Sequence, residues 1–284
     1  MWTVSEALEF VKGSLKEKNI ESYLLDSRLI VMEAVGLSQI QLVTKDDMVL
    51  SDKQLDMLKQ LTERRGALEP MQYILGRCEF MGLDLEVNKD VLIPRADTEI
   101  SVEAAMEILR DKNSFLDLCC GSGAIGISLL HYNSLLQGTL SDISGGAIAV
   151  ARKNAEKNEV SGRAEFVESN LFEALKGKRF DAIISNPPYI QSDVLNELSP
   201  QVKDFEPRLA LDGGSDGLDF YREIVRQAPE FLEKDGYLIF EIGFDQAKAL
   251  FSLMEKDFCD IKLIKDLAGL DRVVLGKIKE DSYV

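Results

Sequence analysis

The sequence predicts an α/β protein whose main domain is a doubly wound, mostly parallel sheet of seven strands. Three observations lead to this prediction. From Asp97 onward, short apolar runs alternate with stretches of helical period, which is typical of a parallel sheet with helices on both faces. A glycine-rich turn at 121–126 joins the first strand of this region to the helix that follows it. Residues 1–76, in contrast, show helical patterns and predict a small all-helical domain.

Start signals and apolar spacing predict the helices of the first 76 residues. Residues 3–6 and 51–54 are capping boxes, and each is followed by leucines or valines on one helical face. A third apolar pattern occupies 23–35 and stops at Gly36. Because amphipathic helices must bury their apolar stripes, these residues predict the core of a small bundle, and we assign 1–76 to one domain.

The period changes after Met81 and Gly82, where Leu83, Leu85 and Val87 alternate with polar residues and predict a β-hairpin. We assign 77–96 to a hairpin linker and 97–284 to the sheet domain. The predicted strands of the sheet domain are 114–118, 138–141, 164–167, 180–185, 236–241, 260–264 and 272–277, and its predicted helices are 98–110, 124–132, 145–157, 216–233 and 245–256.

Charge and hydropathy exclude several classes of partner. The formal net charge is −16, with the acidic residues dispersed, whereas tight sequence-independent binding to DNA depends on basic residues that neutralise phosphates. The N-terminus has no basic segment followed by an apolar core, so no signal peptide is predicted. No apolar run approaches the roughly 20 residues that a membrane helix needs. We therefore expect neither DNA nor a membrane as a partner.

The four cysteines and the single histidine do not form a pattern that predicts a metal site. Cys78, Cys119, Cys120 and Cys259 lack metal-type spacing, and adjacent Cys119 and Cys120 make a poor disulfide. Buried thiols in a reducing cytoplasm are the expectation. His131, at the end of a helical pattern, is expected to be a capping or surface residue.

The segment Asn186-Pro187-Pro188-Tyr189 follows the buried strand predicted at 180–185. The prolines end the strand, because neither has an N–H to donate, and Pro187 keeps Asn186 extended. This segment offers a side-chain carbonyl, a main-chain carbonyl and an aromatic face, which together can hold a planar group that carries an –NH2. The alternative is a loop in which the prolines merely end a strand.

The turn after the first strand matches G-x-G-x-x-G at Gly121, Gly123 and Gly126. Its context is the required one, with a strand before it, a helix after it and Asp142 at the end of the second strand. Asp142 is placed to accept hydrogen bonds from two ribose hydroxyls. This Rossmann-like arrangement is shared by enzymes that bind NAD and by enzymes that bind S-adenosylmethionine.

Two features favour S-adenosylmethionine. Asp117 lies in the lead-in to the glycine turn, where a carboxylate suits an ammonium or sulfonium group but not a pyrophosphate, and a dehydrogenase has no evident use for Asn-Pro-Pro-Tyr. Asn170 is expected to accept from an adenine amino group, while Leu171 or Phe172 covers the ring. As alternatives, Asp142 is a helix cap and Asn170 a turn residue, since Asp and Asn favour both positions.

With these residues, the sequence resembles class I S-adenosylmethionine-dependent methyltransferases, and more narrowly the release factor glutamine methyltransferases of the HemK or PrmC family. The resemblance covers nearly the whole length. Its departures are Cys119 and Cys120, where many relatives have Gly-Thr, and Asn170, where Asp is usual. The matching segments are 69–76, 79–83, 92–99, 142–144, 186–189, 206–211 and 216–218.

The resemblance implies the reaction and the roles of the site residues. The substrate would be the glutamine of the Gly-Gly-Gln loop of peptide-chain release factors, methylated on its side-chain nitrogen, with S-adenosylhomocysteine as the other product. The helical domain would contact the protein substrate, and the chain would act as a cytoplasmic monomer. The residues that we assign are Asn186, Pro187 and Tyr189 as catalytic, 186–189 as substrate-binding, and Asp117, Cys119, Cys120, Gly121, Ser122, Gly123, Asp142, Asn170, Leu171 and Asn186 as cofactor-binding.

Other functions share these motifs. The methyltransferase of a ribosomal-protein glutamine has nearly all of them, and enzymes that methylate adenine N6 in nucleic acids have the Asn-Pro-Pro-Tyr segment. A nonenzymatic binding module that keeps the fold is a further alternative. Residues 241–243, which end a predicted strand, either shape the substrate channel or form a structural turn.

Overall fold

The computed structural model describes residues 2–282 and divides the chain into two compact units. One boundary lies between Gly76 and Arg77, and Pro200–Phe205 groups with the first unit although it lies far along the chain. The assignment of three domains stays a prediction. Met1, Tyr283 and Val284, which the predicted domains include, lie outside the described residues.

The first unit is helical. Val11 and Leu15 of its first helix are completely buried together with Ile30 and Leu58, so the apolar stripes form the core that their spacing predicts. Two short helices of five and six residues were not predicted, because so few residues do not show a helical period. Numbered along the whole chain, the helices of this unit are α1 (Val4–Glu17), α2 (Tyr23–Val35), α3 (Gln39–Thr44), α4 (Asp52–Gly66), α5 (Met71–Leu75) and α9 (Pro200–Lys203).

An ion pair is buried inside the first unit. Arg65 Nε lies 2.6 Å from Asp26 Oδ2, and the two side chains are only 4% and 5% exposed. The guanidinium also donates to the main-chain oxygen of Glu69, the hydroxyl of Ser22 and Oε1 of Gln201. Hydrogen bonds of this kind compensate for the loss of water around a buried charge, and they attach the segment containing Gln201 to this unit.

Both predicted capping boxes are present, and the first allows a stability test. Glu6 N donates to Thr3 Oγ1 at 3.2 Å, and Thr3 N donates to the Glu6 carboxylate at 2.8 Å. We expect Thr3→Ala to lower the free energy of unfolding of the helical unit by about 1 kcal/mol. Urea unfolding followed by fluorescence of Trp2, the only tryptophan, measures this. The exposed Ser5 in the same first turn is the control, and an equal loss in Ser5→Ala would contradict the capping role.

The second unit contains the predicted seven-stranded sheet and the hairpin. Short 3₁₀ turns occur at Ala96–Thr98, Ser161–Arg163, Val194–Glu197, Arg208–Ala210 and Glu280–Ser282. In chain order the longer elements are β1 (Arg77–Phe80), β2 (Leu83–Glu86), α6 (Glu99–Ile108), β3 (Ser114–Leu118), α7 (Ala124–Tyr132), β4 (Gln137–Asp142), α8 (Gly145–Lys157), β5 (Ala164–Glu168), β6 (Phe180–Ser185), α10 (Asp219–Phe231), β7 (Leu232–Glu241), α11 (Ala247–Met254), β8 (Phe258–Lys265) and β9 (Asp271–Ile278).

The strand order confirms a Rossmann-like, mostly parallel sheet. The order is β5-β4-β3-β6-β7-β9-β8, and β9 is antiparallel to both of its neighbours while the other pairs are parallel. β1 and β2 form a separate antiparallel hairpin. The chain moves outward from β3 through β4 to β5 and then returns to place β6 on the other side of β3. The carboxyl ends of β3 and β6 therefore flank a topological switch point, where ligands bind in open α/β sheets.

Apolar residues cover both faces of the sheet. Phe115 and Leu116 are neighbours in β3, both are completely buried, and they belong to opposite apolar layers because successive side chains of a strand point to opposite faces. One layer includes α6, α7, α8 and the hairpin residues Phe80 and Leu85, and the other includes α10 and α11. The doubly wound architecture is thus confirmed.

Candidate active site

A cleft of about 360 Å³ opens at the carboxyl ends of β3, β4 and β6. Its walls come from the turns that follow these strands and β5, and from 89–95 and 207–210 on the opposite side. This volume is within the range of small-molecule sites. Eight of the ten residues assigned to cofactor binding line the cleft: Cys119, Cys120, Gly121, Ser122, Asp142, Asn170, Leu171 and Asn186.

The turn after β3 depends on glycine. Gly123 has φ +79°, and a Cβ at this position would lie 2.8 Å from Ile127 Cδ1, so a side chain would collide with the helix that the turn begins. Cys119 also has a positive φ, of 63°, which is uncommon for a residue with a side chain. Burial raises the pKa of the Cys119 and Cys120 thiols, so this wall of the cleft presents neutral thiols.

Asp117 lies behind this turn and does not itself line the cleft. It is 1% exposed, and its Oδ2 accepts a hydrogen bond from Gly126 N at 2.8 Å. The other oxygen, Oδ1, is buried without a hydrogen-bond partner among the residues that the structure describes. Burial raises the pKa of Asp117 to about 7, the Gly126 bond opposes this, and the charge of Asp142 adds to it. An unsatisfied buried acceptor of this kind suits a cationic donor.

Asp142 is fixed by backbone amides at the end of β4. Its Oδ2 accepts from Gly121 N and its Oδ1 from Ser144 N, both at 2.9 Å. Burial raises the pKa of Asp142, and the bonds from these amides oppose the shift. The N-cap of α8 is Ser144, whose hydroxyl accepts from Ala147 N, so Asp142 is not the helix cap. Each carboxylate oxygen has two lone pairs, which leaves capacity for two hydroxyl donors.

The turn after β5 contains Leu171 and Phe172, which the sequence left as alternatives for covering an adenine ring. Phe172 is 1% exposed and stacks on Phe231 with ring centroids 4.5 Å apart, so it belongs to the core, and of the two alternatives only Leu171 is left as a cover for an adenine ring. Leu171 lines the cleft with φ 48°. Asn170 donates from Nδ2 to Glu173 Oε1 at 3.1 Å, which leaves its amide oxygen as the acceptor.

The Asn-Pro-Pro-Tyr segment begins where β6 ends. Ser185 Oγ donates to Leu118 O at 2.7 Å and ties this end of β6 to β3. Asn186 and Pro188 line the cleft, whereas Pro187 and Tyr189 lie beside it. Burial raises the pKa of the Tyr189 hydroxyl, so the ring presents a neutral phenol.

The main chain of the Asn-Pro-Pro-Tyr segment packs directly against a second piece of main chain. A Cβ at Gly213 would lie 2.7 Å from Tyr189 Cα and 2.8 Å from Pro188 O, so only glycine allows this approach. Gly213 N donates to Ile190 O at 2.8 Å, and Ile190 N donates to Leu211 O at 3.0 Å. The backbone therefore fixes the position of the segment.

A buried carboxylate that the sequence did not single out lies next to the cleft-lining residues Arg95 and Pro207. Glu206 is buried, accepts a hydrogen bond from Ile93 N at 3.3 Å and pairs with Arg95. It thus joins the family-matching segment 92–99 to the matching segment 206–211, which lies more than a hundred residues later. Both segments matched the family, but nothing in their spacing indicates that they meet.

No helix in residues 2–282 is both long and apolar enough to cross a membrane. Within the same residues, no group of three or more His, Cys, Asp or Glu side chains is arranged to hold a metal ion.

Comparisons with known proteins show similarity to methyltransferases over nearly the whole chain. Residues 6–76 match the PrmC N-terminal domain, and 98–201 match the methyltransferase small domain. Release factor glutamine methyltransferase of Geobacter sulfurreducens is 43% identical over 98% of both chains. The enzyme of the same name from Clostridium acetobutylicum is 39% identical over 96% of this chain and 98% of its own. A methyltransferase structure from Pyrococcus furiosus shares the fold with a TM-score of 0.51 and 19% identity, over 70% of this chain and 90% of that one.

Proposed function

This chain belongs to the family of release factor glutamine methyltransferases, and from that premise we propose that it methylates the side-chain amide nitrogen of the glutamine in the Gly-Gly-Gln motif of a peptide-chain release factor. The methyl donor is S-adenosylmethionine, and the coproduct is S-adenosylhomocysteine. The observation that supports this most strongly is the position of Asn186, which lines the same cleft as the glycine turn and Asp142.

The residues present fit this cofactor. Asp142 has the free lone pairs to accept from both ribose hydroxyls. Asn170, whose amide oxygen is left as an acceptor, lines the cleft together with Leu171, which supplies an apolar cover. The unsatisfied oxygen of Asp117 suits the methionine ammonium group, directly or through water. When bound, S-adenosylmethionine supplies a methyl group on a sulfonium, which is the electrophile of the reaction.

The enzyme's own residues position the substrate. A carboxamide nitrogen is a poor nucleophile because its lone pair is delocalised into the C=O bond. The Asn186 side-chain oxygen and the Pro187 main-chain oxygen accept its two N–H groups, and Tyr189 packs against the amide plane. These acceptors orient the nitrogen and favour the positive charge that develops on it. Catalysis by positioning and electrostatics needs no covalent enzyme intermediate.

The relatives also favour a release factor over the alternative substrates, since three that are 39–43% identical carry the name release factor glutamine methyltransferase. The net charge of −16 disfavours nucleic acid as a partner. The proposed location is the cytoplasm, where release factors act, and the proposed assembly is a monomer.

Mass spectrometry after incubation with S-adenosylmethionine tests the proposal. The substrates are a release factor, the same factor with its motif glutamine replaced by alanine, a ribosomal-protein mixture and double-stranded DNA. We expect one methyl group on the motif glutamine of the intact factor and none on the alanine variant. Methylation of a ribosomal protein or of DNA without methylation of the release factor would refute the assigned substrate.

The role of Asp142 is tested by cofactor affinity. We expect Asp142→Ala to weaken binding of S-adenosylhomocysteine by about 10- to 100-fold, because two hydrogen bonds to a charged acceptor are lost and the amides of Gly121 and Ser144 lose their partner. Isothermal titration calorimetry measures the change. Asp245→Ala, in an exposed loop after β7, is the control, and equal affinities of Asp142→Ala and the wild type would contradict the assignment.

A further inference from the structure

Glu241 is a buried carboxylate with no role in the proposed reaction so far. It is the last residue of β7 and is only 2% exposed. Its Oε2 is buried without a hydrogen-bond partner in the described range 2–282. A buried, incompletely satisfied carboxylate lowers stability, so its presence beside a functional site calls for a functional reason.

The strand register places Glu241 beside Asn186. Ser185 of β6 is paired with Phe240 of β7, so the next residue of each parallel strand, Asn186 and Glu241, emerges at the same edge of the sheet. Burial raises the pKa of Glu241, and hydrogen bonding from the side chains of Thr98 and Asn186, which lie beside the carboxylate, opposes this shift. The main chain of Glu241 is held as well, since Tyr221 Oη donates to its carbonyl oxygen at 2.8 Å.

A carboxylate next to an asparagine dictates which way the amide faces. An ionised carboxylate only accepts hydrogen bonds, whereas an asparagine side chain has an accepting oxygen and a donating nitrogen. An ionised Glu241 carboxylate therefore favours the amide orientation of Asn186 in which the –NH2 end faces Glu241 and the oxygen faces the cleft. The reversed amide would direct an N–H group at the –NH2 of the substrate, and the two donors would repel each other.

We propose that Glu241 is a positioning residue that holds the Asn186 amide with its oxygen toward the substrate nitrogen. The proposal rests on the methyl transfer proposed above and assigns to Glu241 no contact with substrate or cofactor, in agreement with its absence from the cleft wall. It acts through Asn186 alone.

The environment of Glu241 makes this arrangement sensitive to pH. Burial raises the pKa of Glu241 to about 7, interactions with Thr98 and Asn186 and the charge of Arg272 lower it, and the charge of Asp97 raises it. Tyr189 and Tyr221, the other titratable groups close by, stay neutral because burial raises their pKa values. Below about pH 7 the protonated carboxyl can donate to the Asn186 oxygen and allow the reversed amide.

The test combines single and double variants, assayed at saturating cofactor and release factor. We expect Glu241→Gln, which keeps the shape but not the obligatory acceptor, to lower kcat about 10- to 100-fold. Binding of S-adenosylhomocysteine should stay unchanged. In the wild type kcat should rise with pH toward 7 and level off, and in Glu241→Gln this rise should disappear. Adding Glu241→Gln to Asn186→Ala should lower kcat no further, because Glu241 acts through Asn186.

Asp181→Asn is the matched structural control. Asp181 is a partly buried carboxylate on β6, at the opposite end of the strand from Asn186, where it accepts from Asn113 N and Ser114 N. Its replacement should reduce stability but leave the pH profile of kcat as in the wild type. A double variant of Glu241→Gln and Asn186→Ala that shows the product of the two single effects would overturn the proposal, as would an unchanged pH profile in Glu241→Gln.

A measurement on the wild-type protein gives an independent answer without any substrate. In protein labelled with ¹⁵N-asparagine, the side-chain amide signals of Asn186 should shift with a midpoint near pH 7, the pKa of Glu241. Signals that do not change between pH 5 and 9 would refute the orienting contact. Absence of release factor methylation by the wild type would instead contradict the proposed function and leave this titration interpretable.

Discussion

Asn186→Ala is expected to lower kcat for glutamine methylation by about 10²- to 10³-fold, the usual effect of removing one preorganised group that stabilises developing charge. The substrate nitrogen would keep the Pro187 carbonyl as an acceptor but lose the second acceptor that fixes its orientation. Affinity for S-adenosylhomocysteine should stay close to that of the wild type, since the turn after β3 and Asp142 are untouched. Single-turnover assays with a release factor measure the chemical step, and calorimetry measures binding of the coproduct.

Asn113→Ala is the control for this experiment. Asn113 is exposed and precedes β3 at the opposite edge of the sheet, so its replacement should leave kcat as in the wild type. Near-normal turnover by Asn186→Ala would remove the assigned role. An equal loss of activity and of cofactor binding would show instead that Asn186 supports the cleft as a whole.

Asp117→Asn is expected to change how the stability of the ligand-free protein depends on pH. The pKa of Asp117 is raised from 3.8 to about 7 in the folded protein, chiefly by burial. The contribution of the Asp117 carboxyl to the stability of the folded protein is therefore fully present below about pH 4, and it is lost as the pH rises through 7. Between pH 5 and 7 the wild type should lose up to about 1.4 kcal/mol per pH unit relative to Asp117→Asn. Urea unfolding followed by circular dichroism at a series of pH values measures this difference.

The same substitution should weaken binding of S-adenosylmethionine, because the neutral amide no longer attracts the ammonium group. Asp181→Asn is the control, because the pKa shift of Asp181 is opposite in direction to that of Asp117. Burial of Asp181 raises its pKa, but hydrogen bonds from Asn113 and Ser114 outweigh this and lower the pKa overall. Its contribution to stability is present at neutral pH and lost on acidification. A variant Asp117→Asn with the pH dependence of the wild type would show that the buried carboxyl is not the titrating group.

Much of the fold was predictable because its signals are local. β6 ends at Ser185 because prolines follow at positions 187 and 188, and the glycines form the turn between β3 and α7. Neither signal depends on distant parts of the chain. The alternation of strands and helices then leaves few topologies and predicts the doubly wound, mostly parallel sheet. The position of Asp142 follows from the same reasoning, since it ends the adjacent strand.

The remaining features depend on contacts that sequence spacing does not encode. Glu206 contacts Ile93 across 113 residues of sequence, and Gln201 contacts Arg65 across 136. The neighbourhood of Glu241 and Asn186 requires the order and register of β6 and β7. The sequence could not decide between Leu171 and Phe172 as the cover of the adenine ring, because an aromatic residue after a strand has the same local pattern whether it turns inward or outward.

The contact of Gly213 with Pro188 and Tyr189 bears on how the enzyme can be altered. Backbone packed on backbone fixes Pro188 and Tyr189 without help from any side chain, so replacing side chains at the rim leaves this part of the main chain in place. Leu209, which lines the cleft and is half exposed, is such a rim residue. Smaller residues there should admit bulkier carboxamides for alkylation, and libraries aimed at new substrates can vary the rim while the glycine stays constant.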